Sequence, residues 1–146
     1  MLIAFWIVLG LNALWFGAAF RYFSLTPETA AKLLVPKSAR NSPLFETITA
    51  SVRFLGGMNL ALSVFAVLLL INRQLFPETH QNALFAFVFA VAHASQFAYN
   101  LPVALGGGRK GEALWPVLSG PMLLIFVVDG VLMLANTLVG IWLLGQ

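Results

Sequence analysis

Residues 117–144 read VLSGPMLLIFVVDGVLMLANTLVGIWLL and contain a single charged side chain, Asp129. A helix of about 20 mainly apolar residues is long enough to cross the hydrocarbon core of a bilayer. This stretch is therefore predicted to be a transmembrane helix. Three more stretches have the same character, and the four predicted helices cover about 2–20, 43–71, 83–105 and 117–144. The predicted fold is all-α, an integral membrane four-helix bundle that forms one domain over residues 1–146.

The composition supports this prediction and excludes several other classes of protein. Apolar residues make up 60% of the 146 residues and charged residues only 9%, whereas soluble domains carry about 25% charged residues. The chain has no cysteine, which excludes disulfides and thiolate metal sites. A formal charge of +3 without a basic stripe does not favour nucleic-acid binding. No cofactor and no metal are expected.

Several helix starts can be placed by their capping residues. Ser42 followed by Pro43 is typical of a helix start, with proline at the first helical position. Ser119 and Pro121 allow the fourth helix to start later than residue 117 for the same reason. In the first loop, Thr26-Pro27 begins a short helical pattern that ends at Pro36. That pattern fits either an interfacial helix or a simple connector, and the sequence leaves both open.

The loop charges predict the orientation of the chain. The loops after helices one and three contain six basic residues, Arg21, Lys32, Lys37, Arg40, Arg109 and Lys110. The opposite side has only Arg73. The positive-inside rule therefore predicts both termini on the non-cytoplasmic side. Short loops with few targeting signals favour the bacterial inner membrane over the endoplasmic reticulum.

Polar residues inside the apolar helices are the candidate functional residues. They are Asn12, Arg53, Asn59, His93, Gln96, Asn100, Asp129 and Asn136. Such groups are costly in hydrocarbon, so they usually face the bundle interior and pair with one another. His93, Gln96 and Asn100 follow a helical spacing that puts them on one side of helix three. Depths counted from the loop ends predict one polar layer supplied by all four helices.

Asp129 and Arg53 are the only acid and the only base within the apolar parts of the spans, so we predict a salt bridge between them. His93, Gln96 and Asn12 are expected around it, and Glu46, two turns before Arg53, is a rival partner at the membrane surface. Two interpretations of this intramembrane polar site stay open. Interhelical hydrogen bonds could simply hold the bundle together, or the layer could line a site for a ligand, a proton or a lipid headgroup.

The order of motifs resembles a family of small four-helix membrane proteins that act as scaffolds in sterol biosynthesis in the endoplasmic reticulum. The resemblance is carried by Asn12 in helix one, by the sequence RFLGG from Arg53, and by FAVAHASQFAY from Phe89. An apolar fourth helix follows. The resemblance implies a non-enzymatic tether that gathers membrane enzymes. Asp129 and Gln96 depart from the family's pattern.

Three functions are compatible with the sequence. Short loops and no recognisable catalytic motif favour an accessory or scaffold subunit of a membrane assembly, and an enzyme is disfavoured. The alternative is a lipid- or isoprenoid-binding protein, or an isomerase, in which His93 or Asp129 handles protons and Arg53 holds a polar headgroup. The third is an oligomeric transporter or channel subunit. Membrane lipids, other membrane proteins or further copies of the chain are the expected partners.

Overall fold

The computed structural model describes residues 2–107 and 115–146. Its helices are α1 (Leu2–Phe20), α2 (Pro27–Leu34), α3 (Pro43–Ile71), α4 (Thr79–Leu105) and α5 (Gly120–Leu144). All except α2 are long and apolar enough to cross a membrane. The predicted all-α architecture with four membrane-length helices is therefore confirmed. The predicted loop charges Arg109 and Lys110 lie outside the described residues.

Local sequence explains where two of these helices begin. Ser42 is the residue before α3, and Pro43 occupies its first turn. Ser119 precedes α5 in the same way. Gly120, the first residue of α5, has a φ of +57°, a conformation that favours glycine. The helix consequently starts at Gly120 and not at residue 117.

The helix α4 begins four residues before the predicted start at residue 83. Its first residue is Thr79, and the helix follows Pro77 and Glu78. The side-chain amide of Asn82 donates hydrogen bonds to the backbone carbonyls of Phe76 and Glu78, at 3.2 and 3.1 Å. These bonds stabilise the start of the helix. The first residues of the helix are polar, so a prediction based on apolar stretches places the start too late.

The first loop contains a helix rather than a simple connector. A π-helical segment, Arg21–Leu25, extends α1, and α2 follows after Thr26. Ala30 of α2 is fully buried and packs in a small apolar cluster with Phe23 and Val52. Glu28 and Lys32 point to the exposed side of α2. The short helix is thus held against the first half of α3 by its apolar face.

The long helices pack as two pairs that meet through α1. The helix α1 packs along α3, and α4 packs along α5, while α1 also contacts α4 and α5. Ser63 of α3 donates a hydrogen bond to the carbonyl of Ala13, at 2.8 Å. Phe16 and Phe89 are fully enclosed in the main apolar core. This arrangement brings the faces of α1, α4 and α5 that carry polar residues together.

The helix α3 is longer than a bilayer requires, which changes the depth of its residues. Twenty-nine residues extend roughly 43 Å, against a hydrocarbon core of about 30 Å. The hydroxyl of Ser24 donates to the backbone carbonyl of Arg53, at 3.0 Å. Arg53 is therefore level with the π-helical end of α1, beyond Arg21. The predicted polar layer supplied by all four helices is therefore wrong for Arg53, because the first turns of α3 lie beside α2.

Candidate functional site: an enclosed polar network between three helices

Five side chains form one hydrogen-bonded network where α1, α4 and α5 meet. The amides of Asn12 and Asn136 bond reciprocally, at 2.9 and 3.0 Å. Nε2 of His93 lies 2.9 Å from Oδ1 of Asn12, and its Nδ1 lies 2.9 Å from Oδ1 of Asp129. The indole of Trp15 donates to the same carboxylate oxygen, at 2.9 Å. The network ties α1 to both other helices near the middle of apolar helices, where a bilayer would make polar groups costly.

Four of the five side chains in this network are buried, and the fifth, Trp15, is half-buried. Asn12, His93 and Asp129 have no exposed surface, and Asn136 is 1% exposed. The ring of Phe16 stacks on the imidazole of His93, with centroids 4.6 Å apart. In this low-dielectric setting each hydrogen bond is electrostatically stronger than in water, and each broken one costs more. The network therefore has a large influence on how the helices assemble.

The hydrogen-bond geometry fixes the number of protons that the His93–Asp129 pair holds. Nδ2 of Asn136 donates to the carbonyl of Leu132 at 2.8 Å, which fixes the orientation of that amide because a carbonyl only accepts. The same nitrogen bonds Oδ1 of Asn12, so this oxygen is an acceptor and Nε2 of His93 must carry a hydrogen. One further proton lies between Nδ1 of His93 and Asp129. The pair is neutral overall, whichever partner holds that proton.

This neutral pair corrects the predicted salt bridge between Arg53 and Asp129. The carboxylate of Asp129 bonds His93 and Trp15, whereas Arg53 is exposed on α3. Arg53 is level with Ser24, which lies twelve residues beyond Asn12, roughly 18 Å along α1. The distance excludes contact with the network. The prediction failed because it treated Arg53 as the only base and left the histidine as a neighbour.

The structure therefore brings together four of the eight predicted residues, namely Asn12, His93, Asp129 and Asn136. The other four, Arg53, Asn59, Gln96 and Asn100, lie elsewhere. Among the described residues, the amide of Asn59 bonds only the carbonyl of Leu55 in its own helix, at 2.7 Å, although the side chain is buried. Asn100 accepts a hydrogen bond from the indole of Trp115, at 2.9 Å, and so connects α4 to the segment before α5. Gln96 is half-buried.

Sequence reasoning missed Trp15 as a member of the site. Two signals were available, since Trp15 is three residues after Asn12 on the same helix face, and a buried indole N–H needs an acceptor. Its partner, Asp129, is 114 residues away in the chain, so the pairing itself required the tertiary structure.

The chemistry open to the network is limited by its enclosure. The second carboxylate oxygen of Asp129 is buried and has no hydrogen-bond partner among the described residues. No three His, Asp or Glu side chains in the described ranges come together as a metal site requires. A cleft of about 260 Å³ opens beside Trp15 between α1, α4 and α5, and Gln96 lines it. Asp129 does not line this cleft.

Comparisons with family models, with curated proteins and with solved structures gave no match. The resemblance to the sterol-pathway scaffolds consequently stays an expectation. The fold and the site together define a class: an all-helical, multi-pass membrane protein whose helices are joined by an enclosed polar network.

Proposed function

We propose that this chain is a non-enzymatic accessory or scaffold subunit of a membrane assembly. The observation that carries the proposal is the enclosure of the network: the His93–Asp129 pair and both asparagines have almost no accessible surface. A catalytic acid or base must come within hydrogen-bond reach of its substrate. Groups that are already bonded to one another and covered on all sides are better suited to fixing the helices.

The described residues consist mostly of four membrane-length helices and short connections. The outer surface of the bundle is formed by apolar side chains such as Leu14, Val91 and Val131, which are 73%, 68% and 58% exposed. In the proposed topology both termini lie on the non-cytoplasmic side and the α2 loop lies in the cytoplasm. Partners would then meet either the lipid-facing surfaces or this loop. The bacterial inner membrane remains the favoured location.

Native mass spectrometry of the chain, extracted gently from its own membrane, tests this proposal. We expect a protein partner at a fixed stoichiometry. Single tryptophan substitutions at Leu14, Val64, Val91 and Val131, one on each long helix, then locate the docking face, because only a variant at the interface should lose the partner. Recovery of the intact chain with no protein partner would contradict the proposal.

The cleft beside Trp15 supports a second candidate function, lipid or isoprenoid binding. Its walls are mainly apolar, from Ala18 and Ala19 of α1 to Leu124 and Ile125 of α5. A prenyl or acyl chain has the shape and polarity for such a space. Ala18→Phe should fill the cleft, so loss of a co-purified lipid in this variant, but not in Val131→Phe, would favour binding here.

Two further readings receive less support. An isomerase would need the His93–Asp129 pair to reach the cleft, and neither residue lines it. A transporter or channel subunit would need Asp129 or Arg53 on an oligomer axis, and Asp129 has no exposed surface. An oligomer whose symmetry axis passes beside Arg53 of α3 would support the channel hypothesis.

A further inference from the structure

A second polar feature lies outside the network, in a groove between the start of α2 and the first half of α3. Its volume is about 690 Å³, and its charged lining residues are Glu28, Glu46 and Arg53. Thr26 and Phe45 also line it. The groove is thus built from two elements that are packed together through Ala30 and Val52, and its shape is fixed by that packing.

In the proposed topology the groove falls at the level of the bilayer surface. Arg53 is level with the end of α1, as its backbone bond to Ser24 requires, and the exposed charges of α2 lie on the same side. The Arg53 side chain is exposed, and no carboxylate in the described ranges lies within 4.0 Å of it. A guanidinium at this level faces lipid phosphates, which it binds in a bidentate manner.

The other charged residues of the groove indicate which groups a bound ligand needs besides a phosphate. Glu28 is already paired with Lys32, whose ammonium lies 2.6 Å from its carboxylate. Glu46 is left as the carboxylate available to a ligand. It lies two helical turns before Arg53, on the same face and roughly 10 Å along the axis. Among the described residues, the groove therefore presents one positive and one negative group that have no ion-pair partner, and such a pair matches a zwitterion better than a simple anion.

Apolar surface continues from the groove toward the membrane. Phe54 and Met58 are 79% and 69% exposed. At Gly57, one turn after Arg53, an added Cβ would have no atom within 4 Å. An acyl chain can therefore descend along α3 directly beneath the Arg53 guanidinium.

We propose that this groove binds a phospholipid with a primary ammonium group, of the phosphatidylethanolamine type, with the phosphate at Arg53 and the ammonium at Glu46. An ammonium donates hydrogen bonds to a carboxylate, whereas a choline headgroup has no N–H to donate. An anionic glycerol headgroup would place its phosphate well but would leave Glu46 without a partner. The proposal is independent of the scaffold function, because it concerns a different surface.

Native mass spectrometry of the full chain tests the assignment with three probes offered at equal concentration: dioleoyl phosphatidylethanolamine, phosphatidylcholine and phosphatidylglycerol. We expect the ethanolamine lipid to be retained in preference to the other two. Arg53→Gln should weaken its retention about fivefold, the factor for one arginine at a membrane surface. Glu46→Gln should abolish the preference for ethanolamine over choline while retaining phosphate binding.

The fold should survive both changes. The Arg53 side chain makes no hydrogen bond within the described residues, and its bond to Ser24 uses the backbone carbonyl. Arg73→Gln is the matched control, since its guanidinium lies over Trp6 at the opposite end of α3, and it should leave retention unchanged. Equal retention of the ethanolamine and choline lipids by the native chain, preference for the glycerol lipid, or unchanged retention in Arg53→Gln would each overturn the proposal.

Discussion

His93 and Asp129 face each other across α4 and α5, with Nδ1 and Oδ1 2.9 Å apart and both side chains fully buried. A lone carboxylate at this depth would carry a severe desolvation cost. Bonding to His93 removes the net charge, because the bond from Nε2 to Asn12 fixes one proton and the pair shares another. The pair thereby explains how an aspartate is accommodated in an otherwise apolar helix.

A double-mutant cycle at this pair should show strong coupling. Asp129→Leu leaves Nδ1 of His93 and the indole N–H of Trp15 without a hydrogen-bond partner, whereas His93→Leu combined with Asp129→Leu leaves only the indole without one. We expect the double variant to lose about 1–2 kcal/mol less unfolding free energy than the sum of the two single-variant losses. Unfolding in mixed micelles by added dodecyl sulfate measures these free energies.

The matched control for that cycle is Arg53→Leu with Asp129→Leu. Since Arg53 is level with Ser24 and far from the network, the two losses should add within about 0.5 kcal/mol. Strong coupling in this control, together with additivity in the histidine cycle, would support a salt bridge between Arg53 and Asp129. That result would contradict the geometry described above.

Asn12 and Asn59 should respond differently to the same change. Asn12→Leu removes the reciprocal bonds to Asn136 and the acceptor of His93, which should cost about 1–3 kcal/mol. Asn59→Leu removes an amide whose oxygen is buried without a partner among the described residues, so its unfolding free energy should be unchanged or higher. The same unfolding assay ranks the two variants, and equal losses would contradict the separate placement of Asn59.

The two adjacent glycines of α3 offer a test of helix packing. A Cβ on Gly56 would lie 2.7 Å from the backbone nitrogen of Ser24, while a Cβ on Gly57 would meet nothing within 4 Å. Gly56→Ala should therefore destabilise the fold by about 1–3 kcal/mol. Gly57→Ala should be neutral or stabilising by up to about 1 kcal/mol, because alanine is the better helix former. A reversed order would contradict the close approach of α1 and α3.

The exposed pair on α2 predicts a pH effect. The hydrogen bond from Lys32, and then its charge, hold the pKa of Glu28 below its ordinary value. The small stabilisation from the pair is present above the ordinary carboxyl pKa and is lost as the pH falls through the lowered one. NMR of the Glu28 carboxyl carbon should show that its pKa is below the ordinary value. Lys32→Gln should return the pKa toward that ordinary value. An unchanged titration in that variant would exclude the pairing.

Apolar length and helix starts made much of the fold predictable. Four apolar stretches, together with Pro43 and Ser119, identified the long helices without any tertiary information, since a bilayer requires a helix of a certain length. The start of α4 was missed because polar residues such as Asn82 begin it. The short helix α2 could not be distinguished from a connector, because its stability depends on burying Ala30 against α3.

For the candidate site, the sequence predicted which polar residues lie in the helices but not how they pair. The sequence by itself determined that Asn12, His93, Asp129 and Asn136 lie within apolar helices and must find partners there, because hydrocarbon supplies none. Only the tertiary structure decided which partners they have. Helix length alone does not say how α3 is placed against α1, and only the tertiary structure shows that Arg53 is level with Ser24 and not with Asn12. The packing of α1 against α4 and α5 then joined His93, and not Arg53, to Asp129.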